Sequence, residues 1–526
     1  MKTIILGPPG TGKTTTLLNL VEQFLRAGTD IKKIGYFSFT RKAAYEAQSR
    51  AEEKFLIDKD DIPFFRTLHS LAFRTLGIKK EQVMKTGDYR EFGLKCGIPI
   101  KTAWHNDTDG VFSSDNEYLR IINRARVKEV DVLKEYDNCR HSLDIERDLL
   151  YLLDRELKKY KKEKGLVDYD DMLERFIRQD VSPTFDVLFI DEAQDLSPLQ
   201  WRMVRTLWKK ANKTYIAGDD DQAIFRWAGA DVDTFIALKE EVDYVDTLSQ
   251  SYRIPGGPIH ELSQKIIRNV SNRYDKDYMP RQEVGDLTRY SDVTQVDMSH
   301  GEWLVLSSAN HFLDDIKDLC ELQGWYYSHK HRNSIKLDLL LAIQTWEKWR
   351  HGEQYLPVAS IKNIYSYLGE NVTKGYRTGK TMDENEEGYS IEECLADHGL
   401  LTQDVWYKAF DGLDTDTENY IRNMLANSEK ITQQPRITLS TIHGAKGGEA
   451  DNVLVLPDIT KSALDHNDMD PDELHRLFYV AVTRARNSLH ILSLIHISEP
   501  TRLLSIGDGG VCVIKKRGGG GGGGGG

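Results

Sequence analysis

Only five cysteines occur in 526 residues, Cys96, Cys139, Cys320, Cys394 and Cys512, and no two form a CxxC pair. That scarcity excludes a disulfide framework and a thiolate zinc site, and it fits scattered thiols in a reducing compartment. No apolar run approaches the roughly 20 residues that a membrane-spanning helix needs. No leader-like apolar segment opens the chain, so the expected compartment is the cytoplasm, with no membrane partner. Positive charge is in deficit, with 70 Lys and Arg against 82 Asp and Glu and a formal net charge of −12. Polyanion binding through bulk charge is thereby excluded, although a local basic groove is not. Internal repeats are missing as well. What remains is a chain 40% hydrophobic and 29% charged, long enough for more than one domain.

The strongest local signal lies near the start. Ile4-Ile5-Leu6 leads into Gly7-Pro8-Pro9-Gly10-Thr11-Gly12-Lys13-Thr14, and Thr15-Thr16-Leu17-Leu18 follows. Strand, glycine-rich turn and helix start stand in the order that a phosphate-binding loop requires. The glycines let backbone N–H groups close around a triphosphate, and the helix N-terminus adds partial positive charge. In such a loop Lys13 reaches the β- and γ-phosphates and the Thr14 hydroxyl binds Mg²⁺.

Short apolar runs at Thr3–Leu6, Ile34–Phe39, Val187–Ile190 and Tyr215–Ala217 read as buried parallel strands, with helical patterns between them. Trp303–Ser307, Thr438–Thr441 and Val453–Leu456 repeat that style, so two parallel α/β domains are expected. Between the strand sets lie helix-rich stretches. One ends in the basic run Lys158-Lys159-Tyr160-Lys161-Lys162, which reads as a solvated helix face rather than a DNA clamp. The other carries an acidic stretch at 383–387.

Val187–Ile190 runs into Asp191-Glu192-Ala193-Gln194-Asp195, placing paired acids at a strand's C-terminal tip, where open α/β sheets bind ligands. Asp191 is expected to hold Mg²⁺, and Glu192 to orient and deprotonate an attacking water. A second strand tip carries Gly218-Asp219-Asp220-Asp221-Gln222, whose amide is placed to touch the γ-phosphate or the water. Phe225 and Trp227 follow, flanking Arg226. Two readings of these aromatics stay open: stacking faces for bases, worth about 1–3 kcal/mol each, or core residues.

These segments, in this order, resemble a superfamily 1 DNA helicase of the UvrD/Rep type, close to the compact versions carried by bacteriophages. The resemblance runs to about Leu492. Ser38-Phe39-Thr40-Arg41-Lys42 and Thr67-Leu68-His69-Ser70 resemble the family's DNA-contacting segments. Gln250-Ser251-Tyr252-Arg253 is similar to its fourth motif, in which Tyr packs on adenine and Arg reaches the γ-phosphate. Thr441-Ile442-His443-Gly444-Ala445-Lys446-Gly447-Gly448-Glu449 resembles the fifth, and Tyr479–Arg486 the sixth, whose first Arg, Arg484, is a second arginine finger. The resemblance implies two RecA-like parallel-sheet P-loop NTPase domains with helical insert subdomains, using ATP and Mg²⁺. It also implies 3′ to 5′ movement on single-stranded and tailed duplex DNA. Thr15, Tyr252 and Glu449 join the loop as nucleotide contacts, and Phe39, Thr40, Thr67, His69, Phe225, Trp227, His443 and Lys446 are the implied DNA contacts. For His443, a core hydrogen bond is an equal reading.

Some positions depart from the family pattern. The glutamine that reads adenine upstream of the loop has no counterpart in Met1–Leu6, so that task is expected to fall to Tyr252 or to residues ahead of Met1. Thr15 and Ala228 stand where Arg is usual, and Gly448 and Ala450 where Leu and an aromatic are usual. The expected division is 1–76 with 166–248 as the first motor domain and 77–165 as its insert. The second motor domain is 249–332 with 432–492, and 333–431 is its insert. Residues 493–526 are read as non-native. LSLIHISEPTR at Leu492–Arg502 reads as a translated sequencing-library adapter, and Gly518–Gly526 as a homopolymer run.

Overall fold

Apolar runs become parallel strands in two places. In the computed structural model, residues 1–105, 112–139, 145–352, 355–374, 382–383, 387–431, 433–459 and 471–492 are described. The tail expected to be non-native, Cys512 within it, and most of the acidic stretch at 383–387 lie outside the described residues.

The first set contains β1 (Lys2–Leu6), β2 (Ile34–Ser38) and β3 (Phe65–Thr67), then a small hairpin of β4 (Ala103–His105) and β5 (Phe112–Ser114). It closes with β6 (Phe185–Asp191), β7 (Ala211–Gly218) and β8 (Tyr244–Thr247). Apart from the hairpin these strands form one sheet in the order β3-β2-β6-β7-β1-β8, with every pairing parallel. Leu6 pairs with Gly218, and Ser38 with Asp191. The turns after β1, β6 and β7 therefore emerge along one rim, at the C-terminal ends of the strands.

The second set is β9 (Asp286–Tyr290), β10 (Trp303–Ser307), β11 (Tyr327–His329), β12 (Arg332–Asn333), β13 (Ile437–Thr441), β14 (Ala450–Val455) and β15 (Ala485–Leu492). Its order is β12-β11-β13-β10-β14-β15-β9, parallel except for the β11–β12 edge. The protein is thus an α/β molecule with two parallel sheets. One apolar cluster joins them: Ile4, Leu6 and Ile190 of the first sheet are continuous with Leu306, Val453 and Val455 of the second, through Ile259 and Phe478 on intervening helices.

The helix-rich stretches differ in how they are cored. Residues between the first three strands and β6 bury a cluster of their own around Phe92, Leu150, Leu153 and Tyr160. The stretch after β12 has no such independence: Trp346, Trp349 and Tyr365 share a cluster with Val305, Leu439 and Leu454 of the second sheet.

The basic run at 158–162 keeps the expected solvated face at Lys158, Lys159 and Lys162 and departs from it at Lys161. Lys158 pairs with Asp154 at the surface, but Lys161 is buried and its ammonium lies 2.6 Å from Asp168 Oδ2 and 2.8 Å from Asp171 Oδ2. Arg126 joins the same two carboxylates at 2.6 and 2.7 Å. Lys161 therefore ties the helix Arg147–Lys164 to the start of the helix Tyr169–Gln179. No helix among the described residues is long and apolar enough to cross a membrane.

Candidate active site

The turn after β1 feeds the helix Lys13–Arg26, whose N-cap, Gly12, is left-handed and supplies no capping side chain; its first turn carries no acid. Its leading N–H groups and the helix dipole face the loop, which suits an anion. The loop closes on itself: Thr11 Oγ1 donates to Pro8 O at 2.9 Å, and Lys13 Nζ to Gly7 O at 2.6 Å. Lys13 is 9% exposed, so its ammonium is held inside the loop.

Asp191 ends β6 beside that helix. Its Oδ2 accepts from Thr14 Oγ1 at 2.9 Å and from Tyr36 OH at 2.7 Å. Burial, and then the charge of Glu192, push the Asp191 carboxyl up to about 6. Glu192 next to it has a left-handed backbone with φ 54, a conformation that costs a non-glycine residue about 1 kcal/mol or more and clusters at functional sites. Gln194 Nε2 donates to Glu192 Oε2 at 2.6 Å and fixes the side chain. Burial alone would raise this carboxyl, but Lys13, Lys446, the Gln194 amide and Arg484 together hold it below its ordinary value. Glu192 is therefore charged at neutral pH.

The second half of the chain closes over the loop. Ser251 Oγ and Tyr278 OH both donate to Pro9 O, at 2.9 and 2.8 Å, and Tyr252 N donates to Gly10 O at 2.8 Å. This approach requires glycine at position 10: φ is +75, and a Cβ there would stand 2.4 Å from Arg253 Cβ. Arg253 is ion-paired to Glu449. Arg484, 1% exposed, donates from Nη2 to Gln222 Oε1 at 2.7 Å, from Nε to Val480 O at 2.9 Å and from Nη1 to Gly448 O at 3.3 Å. Lys446 Nζ pairs with Asp195 and donates to Gln222 O at 2.8 Å. Lys13, Asp191, Glu192, Gln222, Arg253 and Arg484 thus gather in one cleft, with Thr14 and Glu449. Thr15 is exposed on the helix's first turn.

The implied nucleic-acid contacts divide. Trp227 is 48% exposed; Tyr252, the expected adenine contact, is 75% exposed. Phe39 and Phe225, expected to stack on bases, are instead buried at 6% and 3%, with ring centroids 5.7 Å apart. Their rings sit in the apolar cluster that joins the sheets, and Phe225 backs Trp227 at 6.4 Å. His443 lies edge-on to Trp227 at 5.7 Å, with Nε2 3.1 Å from Ile224 O. Burial pushes the His443 imidazole down to about 4, so it is neutral. Thr40 and Thr67 act as helix N-caps, their hydroxyls accepting from Ala43 N at 3.1 Å and Ser70 N at 3.2 Å. Thr67 and His69 also line a cavity of about 540 Å³ that reaches Lys80, Lys85 and Trp104.

Two family patterns cover this geometry. The UvrD/REP helicase N-terminal domain matches residues 1–243, and the UvrD-like helicase C-terminal domain matches residues 157–495. The chain belongs to the UvrD-like helicase family. The ATP-dependent DNA helicase Rep of Buchnera aphidicola subsp. Baizongia pistaciae is 23% identical over 297 residues, 54% of this chain and 43% of that protein. Rep of Escherichia coli K12 is 23% identical over 388 residues, 69% of this chain and 55% of that one. The ATP-dependent DNA helicase PcrA of Staphylococcus epidermidis RP62A is 23% identical over 605 aligned positions, 93% of this chain and 80% of that one. The chain spans about half the length of the two Rep proteins. A solved structure described as "The structure of PRRSV helicase" overlays at TM-score 0.31 with 11% identity, covering 94% of this chain and 53% of that one, too loosely to bear on the fold.

Sequence reasoning missed several residues of this UvrD-like site. Tyr36 gives no motif signal, and neither does Tyr278, which braces the loop from a distance of 269 residues. Gln194 and Asp195 lay in plain view within the acidic motif. Their neighbourhood, an amide bridging Glu192 to the Asp219 N–H and a carboxyl pushed by burial up to about 7, needed coordinates.

Proposed function

We propose that the chain is an ATP-dependent motor that moves along single-stranded DNA and unwinds duplex DNA, coupling hydrolysis in the cleft to opening and closing of two RecA-like halves. One observation carries the reading: Arg253 and Arg484, from the second half, stand against the phosphate loop and Gln222 of the first. A triphosphate bound there has cations on both sides, and closure completes the site. Lys13 and the loop N–H groups hold phosphate, Glu192 takes a proton from the attacking water, and Gln222 orients it. The two arginines neutralise charge that develops in the transition state.

The Thr14 hydroxyl and Asp191 carboxylate, 2.9 Å apart, fit a hard cation that keeps most of its ligands from water and phosphate. Among the described residues no group of three His, Cys, Asp or Glu is arranged to hold a metal by itself. Thr14 and Asp191 would hold Mg²⁺, which would supply neutralisation of phosphate charge.

DNA as the track is supported by the exposed Trp227 face and by the likeness to the Rep and PcrA DNA helicases. The cavity that runs from Thr67 to Lys85 and Trp104 gives a local basic and aromatic surface on an otherwise acidic chain. The 3′ to 5′ direction, the likeness to compact phage members and a setting in replication or repair belong to the same proposal.

The test is ATP hydrolysis with and without single-stranded DNA or RNA, followed by unwinding of duplexes tailed at either end. Hydrolysis indifferent to DNA overturns the reading. Stimulation by RNA alone reassigns the track, and translocation without strand separation makes the protein a remover of bound proteins. Trp227→Ala is expected to keep basal ATPase and to weaken the DNA-stimulated rate, because losing one base stack costs about 1–3 kcal/mol of DNA binding. Titrating ATPase against a single-stranded oligonucleotide checks this; an unchanged half-saturation point removes Trp227 from the track.

A further inference from the structure

An ion-pair cluster between the two halves plays no part in the catalytic argument above. The turn after β7 carries Asp219, Asp220 and Asp221. Facing it is the segment 271–276, which follows the helix Pro258–Ile267. Lys276 Nζ lies 3.0 Å from Asp219 Oδ1 and 3.0 Å from Asp221 Oδ2 and also pairs with Asp220, and all four side chains are at most 1% exposed. Arg273 forks onto Asp221 at 2.8 and 2.6 Å, and Tyr274 N donates to Asp220 Oδ2 at 2.7 Å.

The helix Pro471–Val482 holds this segment from behind. Arg476 donates to Asp220 O at 2.9 Å and to Asn272 O at 2.6 Å, and Asp472 accepts from Ser271 N at 3.0 Å and Ser271 Oγ at 2.7 Å. The cluster is wired to the cleft. Asp219 Oδ2 accepts from Gln222 Nε2 at 2.7 Å, and Gln222 Oε1 accepts from Arg484 at 2.7 Å. Lys276 is one side chain removed from the Gln222–Arg484 pair.

We propose that Lys276 is a positioning residue for ATP hydrolysis, fixing Asp219 and through it Gln222 and Arg484. The inference rests on the ATPase reading above. Breaking a buried ion pair strands charges away from water, so this contact stays closed. Burial alone would lower the Lys276 ammonium, but the three carboxylates hold it above its ordinary value and keep it charged.

The experiment compares the full-length chain with Lys276→Met and Lys276→Arg in steady-state ATPase at saturating single-stranded DNA. The thermal unfolding midpoint and the fraction of sites that bind a fluorescent ATP analogue are followed in parallel. Lys276→Met is expected to lower kcat roughly tenfold to a hundredfold per competent site, with KM for ATP within about threefold of wild type. Lys276→Arg keeps the charge but shifts it, and it is expected to show the same split with a smaller loss, which decides the matter if Lys276→Met does not fold. A wild-type kcat in the folded variants, or a loss that merely tracks the fraction of competent sites, overturns the positioning role. A wild-type protein with no ATPase overturns the proposed function instead, so the two failures are distinguishable.

Discussion

Arg484→Ala is expected to lower ATP turnover by roughly 10³-fold or more, with KM for ATP changed only a few-fold. The guanidinium is 1% exposed and aimed by three hydrogen bonds, to Gln222 Oε1, Val480 O and Gly448 O. A donor array already oriented in a dry site pays no reorganisation when charge develops on the transferred phosphoryl group, so its contribution appears in the transition state and little in binding. Burial first, and then Arg253 beside it, lower the Arg484 guanidinium to about 9, which still leaves it protonated at neutral pH. Removing it also leaves the Gln222 amide without one of its anchors. Steady-state kinetics with single-stranded DNA in excess checks the split. An equal loss in kcat/KM arising wholly from affinity would make Arg484 a binding residue only.

Glu192→Gln is expected to reduce turnover by roughly 10²- to 10⁴-fold, the range for losing a general base, while nucleotide and DNA binding persist. The substitution keeps shape and volume, so the left-handed turn at 192 and the acidic motif around it are left in place. What it removes is a carboxylate held below its ordinary value, against the effect of burial, by Lys13, Lys446, Gln194 and Arg484. ATP binding measured by a fluorescent analogue, alongside single-turnover hydrolysis, separates the two effects. Wild-type turnover in this variant would mean that the chain is a nucleic-acid-binding module whose hydrolysis does not depend on the acidic motif.

The phosphate loop and the acidic motif were legible because each is a short apolar strand followed at once by its chemistry, so period and motif agree. Burial of aromatics was not legible. Phe225 and Trp227 are two residues apart on one short segment, and only packing against Phe39 and His443 decides that the first is core and the second is exposed. Strands that failed to stand out have physical reasons. β8 is an exposed edge strand, β3 spans three residues, and β15 mixes polar and apolar positions because one face meets solvent. Lys276 sits in Asn-Arg-Tyr-Asp-Lys-Asp, a composition that reads as a surface loop. Its partners lie more than 50 residues away, and without them its burial cannot be inferred. Lys161 hid in a basic run for the same reason: its acids come from the next helix.

The contrast between the two inserted stretches bears on how such a molecule tolerates change. Residues built around Phe92 and Leu150 carry their own apolar centre and are joined to the rest by the Lys161 and Arg126 ion pairs and by backbone hydrogen bonds between 82–84 and Val167. The stretch built around Trp346 and Tyr365 is instead a wall of the second sheet, and excising it would leave Val305, Leu439 and Leu454 facing water. Change is therefore better tolerated in the stretch that has its own core than in the one that walls the second sheet.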